Sequence, residues 1–140
     1  MGPQKVVYLV LDTNVVISAI LFGGIPGKLI ELWKKGSITP LITEYIMAEY
    51  LRVLAYPKFK LSEEEVHYII HQEILPFFKV VNSKPGPSII KKDPDDDKFI
   101  QCAIAGQAKI IISGDRHLLA KKSHHNIKFL NPNQFLEEFV

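Results

Sequence analysis

Cysteine is almost missing from this chain of 140 residues: the single Cys102 has no partner for an internal disulfide. A disulfide scaffold is therefore excluded, and a reducing cytoplasm is the expected compartment. Long apolar runs are missing as well. The N-terminal run at residues 6–11 falls far short of the roughly 20 apolar residues a membrane span needs. A charged leader with a small-residue cleavage site is also lacking, so neither a membrane nor a secretory signal is expected. Charge of one sign is not in excess, since 17 Lys and Arg face 15 Asp and Glu for a net charge of +2 and a pI near 8.6. That balance permits a nucleic-acid partner without requiring one, because the usual footprint is a domain pI above about 9 with clustered basic residues. Repeats and low-complexity tracts are absent. What is present is 47% hydrophobic against 23% charged residues, too apolar for a disordered chain. One globular domain over residues 1–140 is expected.

Strand and helix patterns alternate along the chain. Residues 6–11 form an uninterrupted apolar run, the signature of a strand buried on both faces, and residues 14–22 follow it as a helix. Gly23 and Gly24 interrupt that helix, and Pro26 stands in the first turn of the next, which runs to about Lys35 and stops at Gly36. Residues 38–42 read as a second strand, and Thr43 caps a helix over 44–54. Ser62 and Glu65 form a capping box for a helix ending near Pro76. Residues 77–81 read as a strand or an extended segment, and 84–88 as a loop. A helix runs from Asp93-Pro94 to Gln107, a strand spans 109–113, a short helix 115–121 and a strand 127–130, and Asn131-Pro132 opens a final helix. This order predicts an α/β fold: a central, mainly parallel sheet with helices on both faces, an α/β/α sandwich.

In such sheets ligands bind outside the carboxyl ends of the strands. The six aspartates fall in three places: Asp12 after the first strand, Asp93, Asp95, Asp96 and Asp97 at a helix start, and Asp115 after "KIIIS". Parallel packing would bring the ends of both strands to one edge and merge separate clusters into one acidic pocket. Helix capping competes with this reading, because a first-turn aspartate accepts bonds from free N–H groups. Asp93 reads as such a cap. At about 100° per residue, Asp96 points near the middle of the apolar arc of its helix and Asp97 to the margin, so Asp96 is the first choice for an inward ligand and Asp97 the second. Glu49, in "TEYIMAEYLRVL", lies about 40° from the edge of the apolar stripe by the same geometry and can reach the rim of the core. Glu44 is a favourable first-turn charge.

Converging carboxylates without a matching arginine repel one another and would be driven to bind protons. A divalent cation removes the conflict, and an all-oxygen donor set selects magnesium or manganese over zinc. Such a site suits hydrolysis of a phosphodiester.

These residues resemble the PIN-domain nucleases, specifically the bacterial and archaeal branch of toxin components of toxin-antitoxin pairs. The matching pieces are "LDTNVVISAILF", "GIPGKLIELWKKGSITPLITEYIMAEYLRVLAYPKF", "DPDDDKFIQCAIAGQAKIIISGDRHLL" and "FLNPNQFLEEF", in the family order over nearly the whole chain. By this resemblance the acids are Asp12, Glu49, Asp96 and Asp115, with Asp97 as a further metal-ligand candidate in the run of three, and Asn14 and Ser113 support the site. The resemblance implies a Mg2+- or Mn2+-dependent endoribonuclease acting on RNA, a homodimer, and a protein antitoxin that inserts into the acidic groove.

Other features are weaker. Lys91, Lys92 and Lys98 flank the aspartate run and Arg116 follows Asp115, so Lys98 and Arg116 are candidates for phosphate contacts at the rim. Arg52 lies one turn beyond Glu49 and is placed to pair with it. His67 and His71, spaced i, i+4, lack a third ligand and read as a surface pair. His117 is close to Asp115 and reads as exposed. "FGGIPGK" follows a helix and lacks P-loop spacing, which excludes a triphosphate loop. Phe22, Trp33, Tyr45, Tyr50 and Phe59 could stack bases but read as core. Two further classes stay open: a phosphatase or phosphotransferase with Asp12 as nucleophile beside Lys109 and Ser113, which leaves Glu49 without a role, and a non-catalytic RNA- or protein-binding module.

Overall fold

Leu9, Val10 and Leu11 are completely buried, although consecutive side chains of a strand point to opposite faces, so both sides of this strand are covered. The same holds for Ile111 and Ile112. These residues lie in a computed structural model that describes residues 6–83, 97–121, 123–124 and 126–139. Its strands are β1 (Val7–Leu11), β2 (Ile38–Ile42), β3 (Lys79–Val80), β4 (Ile110–Ile112), β5 (Ser123–His124) and β6 (Ile127–Leu130). They form a six-stranded sheet in the order β3-β2-β1-β4-β6-β5. Every pairing is parallel except the edge pair of β5 with β6. The expected mainly parallel α/β architecture is the one observed.

The helices are α1 (Thr13–Phe22), α2 (Gly24–Lys34), α3 (Glu44–Leu54), α4 (Glu63–Tyr68), α5 (Asp97–Gly106), α6 (Arg116–Lys121) and α7 (Pro132–Phe139). From β1 the chain steps outward through β2 to β3, then returns over the sheet to β4 on the other side of β1. The strand order therefore reverses between β1 and β4, and in sheets of this kind ligands bind at the carboxyl ends of the two strands that flank such a reversal. Asp12 and Ser113 follow those ends directly. Their backbones are tied into the sheet: the Asp12 N–H donates to the Ile112 carbonyl at 2.9 Å, and the Ser113 N–H to the Leu130 carbonyl at 2.9 Å.

Local signals set most boundaries. Gly23, at φ 73°, ends α1 while its N–H donates to the Ser18 and Ala19 carbonyls, and α2 leaves at 96° to α1. The Thr43 hydroxyl accepts from the Ile46 N–H, and the Ser62–Glu65 capping box is complete. The helix expected to run unbroken to Pro76 instead widens after Tyr68 into π-helical winding over Ile69–Ile74. At about 100° per residue, Ile69 and Ile74 would lie roughly 140° apart on an α-helix. The wider winding takes up one residue and turns Ile69, Ile70 and Ile74 together into the core. The Glu73 carbonyl in this segment accepts the Trp33 indole N–H at 3.1 Å, which docks the segment on α2.

The antiparallel β5 was not expected, because two residues are too few to show a period. Trp33 and Tyr50 are core, whereas Phe22 is 71% exposed and Tyr45 is 38% exposed, contrary to the core reading of both. Asp93, Asp95, Asp96, Lys91, Lys92 and the 84–88 loop lie outside the described residues. Among the described residues no single helix is long and apolar enough to cross a membrane.

Candidate active site

Asp12 occupies the N-cap position of α1, yet its side chain makes no capping hydrogen bond. It turns instead toward the end of β4, where the Ser113 hydroxyl donates to its Oδ2 at 2.7 Å. Ser113 is completely buried, and its oxygen also accepts the Asp115 N–H at 2.9 Å, so one hydroxyl links the end of β1 to the loop after β4. Asp115, partly buried, accepts the His117 N–H on Oδ1 at 2.7 Å, which holds its carboxylate at the start of α6.

Glu49 reaches the same place from the middle of α3. The Thr13 hydroxyl donates to its Oε2. Lys98 Nζ lies 2.5 Å from its Oε1 and Arg52 Nη2 lies 3.3 Å from the same oxygen. With a side chain only 14% exposed, Glu49 sits at the rim of the core, as helical geometry predicted. The Lys98 contact joins the start of α5 to α3, and Asp97, the first residue of α5, is buried.

The electrostatics reflect this convergence. The Asp12 carboxyl is held above the usual aspartate range, first because it is buried. The Ser113 hydrogen bond and the Asn14 N–H oppose the shift, while the negative charges of Glu49 and Asp115 add to it. Tyr50 lies beneath: completely buried, it donates to the Leu11 carbonyl at 3.1 Å. Burial, with Cys102, Asp12 and Glu49 adding, raises its phenol well above the ordinary value, so it stays a neutral donor. Burial also pushes the Cys102 thiol up to about 12, which removes it as a thiolate ligand.

The described donors are carboxylate, hydroxyl and carbonyl oxygens, the set that suits a hard divalent cation. The mutual repulsion felt at Asp12 is the electrostatic condition such an ion relieves. Among the described residues, no group of three or more Asp, Glu, His or Cys side chains is drawn tightly enough to hold one ion. Glu49 is engaged by Lys98 and Arg52, which supply positive charge beside the pocket.

The structure thus links Asp12, Ser113 and Asp115 by hydrogen bonds and sets Glu49 within electrostatic reach of Asp12, while Lys98 pairs with Glu49 and follows the buried Asp97 in α5. Lys98 spends its charge on Glu49 instead of standing free at the rim. Asn14 is exposed beside Asp12, Arg116 is exposed at the start of α6, and His117 is exposed as expected. His67 and His71 are an exposed pair with ring centroids 4.0 Å apart. Thr13 escaped sequence reasoning, and Tyr50, read there as core, was not read as a hydrogen-bond donor beneath the site. Thr13 lies inside "DTN", where the hydroxyl was the available signal, and Tyr50 was concealed by its place in an apolar stripe.

A buried aspartate at the carboxyl end of a parallel strand, hydrogen-bonded to a serine from the neighbouring strand, marks the candidate site of this α/β protein. The chain belongs to the PIN domain family, which it matches over residues 8–117, and members of that family are generally nucleases that use divalent metals. No curated protein matches the chain.

Proposed function

We propose that this protein is a Mg2+- or Mn2+-dependent endoribonuclease that hydrolyses RNA phosphodiesters at the pocket between β1 and β4. The observation that supports the reading is the hydrogen-bonded link in which Ser113, after β4, donates to the buried Asp12 carboxylate after β1 at 2.7 Å and accepts the Asp115 N–H at 2.9 Å. Asp12, Glu49 and Asp115 are the acids that the motif resemblance assigns to the metal, and they would have to draw closer together to share one ion; Asp97, buried at the start of α5, is the described candidate for the remaining acid beside Asp96. When bound, the ion supplies an activated water and neutralises charge on the phosphodiester. Ser113 fixes the Asp12 rotamer, and Thr13 orients Glu49 from the opposite side. Arg116, exposed at the start of α6, would meet the strand at the rim, while Lys98 stays paired with Glu49. Following the motif resemblance, the protein acts in the cytoplasm as the toxin of a toxin-antitoxin pair, a homodimer restrained by a protein antitoxin.

The aspartyl-phosphate alternative is not favoured. Lys109 precedes β4 while Ser113 follows it, so they stand at opposite ends of that strand, and Ser113 already bonds Asp12 itself.

The test is cleavage of a mixed pool of structured and single-stranded RNAs by the pure protein with manganese, magnesium or EDTA. Metal-dependent cuts are expected, reduced more than about 100-fold in Asp12→Asn and Asp115→Asn and roughly 10- to 100-fold in Ser113→Ala, which orients a ligand without being one. Cleavage that survives EDTA or the aspartate variants refutes the proposal.

A further inference from the structure

The acidic pocket repels the phosphates it is proposed to cut, and Lys98 and Arg52 are engaged by Glu49, so an anionic strand needs cations and contact area elsewhere. A cleft of about 560 Å³ begins at Asn14, two residues from Asp12, and runs along α1 past Ser18 to Phe22. Across from them stand Lys58, Phe59 and Leu61, in the connection that follows α3. Its volume lies within the range of ligand-binding clefts.

The walls are aromatic and cationic. Phe22, although apolar, is 71% exposed at the end of α1. Its ring centroid is 6.1 Å from that of Phe59, which stacks on Tyr56 at 6.5 Å with the planes 7° apart. Lys58 Nζ lies 5.1 Å from the Phe59 ring centroid, and Lys58 is the one charged residue among the described residues lining the cleft. An exposed Phe22 ring and a half-buried Phe59 ring beside a lysine offer the aromatic surface and the cation that unpaired bases and their phosphates require. An interface between two copies of the chain would fit less well, since lysine is depleted from the cores of protein interfaces and a buried ammonium would need an acid opposite it.

We propose that this cleft binds the unpaired nucleotides on one side of the scissile phosphate, with Phe22 and Phe59 stacking bases and Lys58 holding a phosphate. The proposal rests on the nuclease reading.

Fluorescence anisotropy with a fluorescein-labelled single-stranded RNA dodecamer, and with its duplex, measures this in EDTA, where the proposed cleavage is silent. Phe22→Ala and Phe59→Ala are each expected to weaken single-strand binding roughly 5- to 150-fold while leaving duplex binding unchanged, and Phe22→Trp to restore it. Lys58→Ala should make the slope of log affinity against log salt shallower by about 0.7. Phe22 is exposed, so its variants keep the fold, which the unfolding midpoint checks. If the wild type cleaves RNA with metal but binds the single strand no better than Phe22→Ala and Phe59→Ala do, the cleft is refuted and the nuclease reading stands. If the wild type neither binds nor cleaves RNA, both fall. A shift from dimer to monomer in Phe22→Ala on sedimentation, with RNA affinity intact, makes the cleft a contact between copies and overturns the proposal.

Discussion

Asp12 carries the conflict on which the pocket is built. Its carboxylate is taken out of water and set near Glu49 and Asp115, and the Ser113 hydrogen bond offsets only part of the effect. Because its folded pKa lies above the unfolded value, the native state holds this proton more tightly, and the stability contributed by the group is full below the unfolded pKa and lost as pH rises through the folded one. Asp12→Asn removes the charge while leaving an oxygen for Ser113. In metal-free buffer at neutral pH the variant should be more stable by on the order of 1 kcal/mol, a rise of a few degrees in Tm. Thermal unfolding across pH checks the sign: the gain must fade as pH falls through the ordinary aspartate range, and a variant less stable than wild type at pH 7 contradicts this account.

The elements around the pocket are held by close contacts that vary in tolerance. α5, which presents Asp97 and Lys98, ends at Gly106, and a Cβ added there would meet Leu41 Cδ1 of β2 at 2.2 Å and Val81 Cγ1 at 3.3 Å. Leu41 is 1% exposed and cannot swing aside, so the glycine is kept for close approach of helix to sheet. Gly106→Ala should destabilise by roughly 1–3 kcal/mol despite the better helix propensity of alanine. At Gly114 nothing lies within 4 Å of an added Cβ, and Gly114→Ala should stay within about 0.5 kcal/mol of wild type. Urea unfolding of the two variants separates packing from backbone effects. The π-helical turn over Ile69–Ile74 follows the same logic, because packing of three isoleucines and the bond from Trp33 outweigh regular winding.

The fold as a unit couples its own stability to the proposed ion. A cation that binds the assembled pocket and not the unfolded chain raises stability by about 2.7 kcal/mol at a concentration roughly a hundredfold above its dissociation constant. Manganese or magnesium should therefore raise the Tm of the wild type. Asp12→Asn and Glu49→Gln should show little of that rise, since each lacks one donor. An equal rise in all three proteins would place the ion elsewhere.

Much of this was legible in the linear chain. The parallel strands, the Ser62–Glu65 box, the break at Gly23 and the candidacy of Asp12, Glu49 and Asp115 follow from periodicity, capping chemistry and residue type, which act over a few neighbouring residues. The strand-end rule then placed Asp12 and Asp115 at one edge before any contact was known. What the chain alone could not decide was which partner each charge takes. Ser113 meets Asp12 across 101 residues and Lys98 meets Glu49 across 49, so no local pattern encodes either bond. Phe22 carries the same lesson: its helical spacing looks like core, and only the packing of α1 against its neighbours leaves the ring in solvent over the cleft. Periodicity reports that a face is apolar, while the tertiary arrangement determines whether another element arrives to cover it.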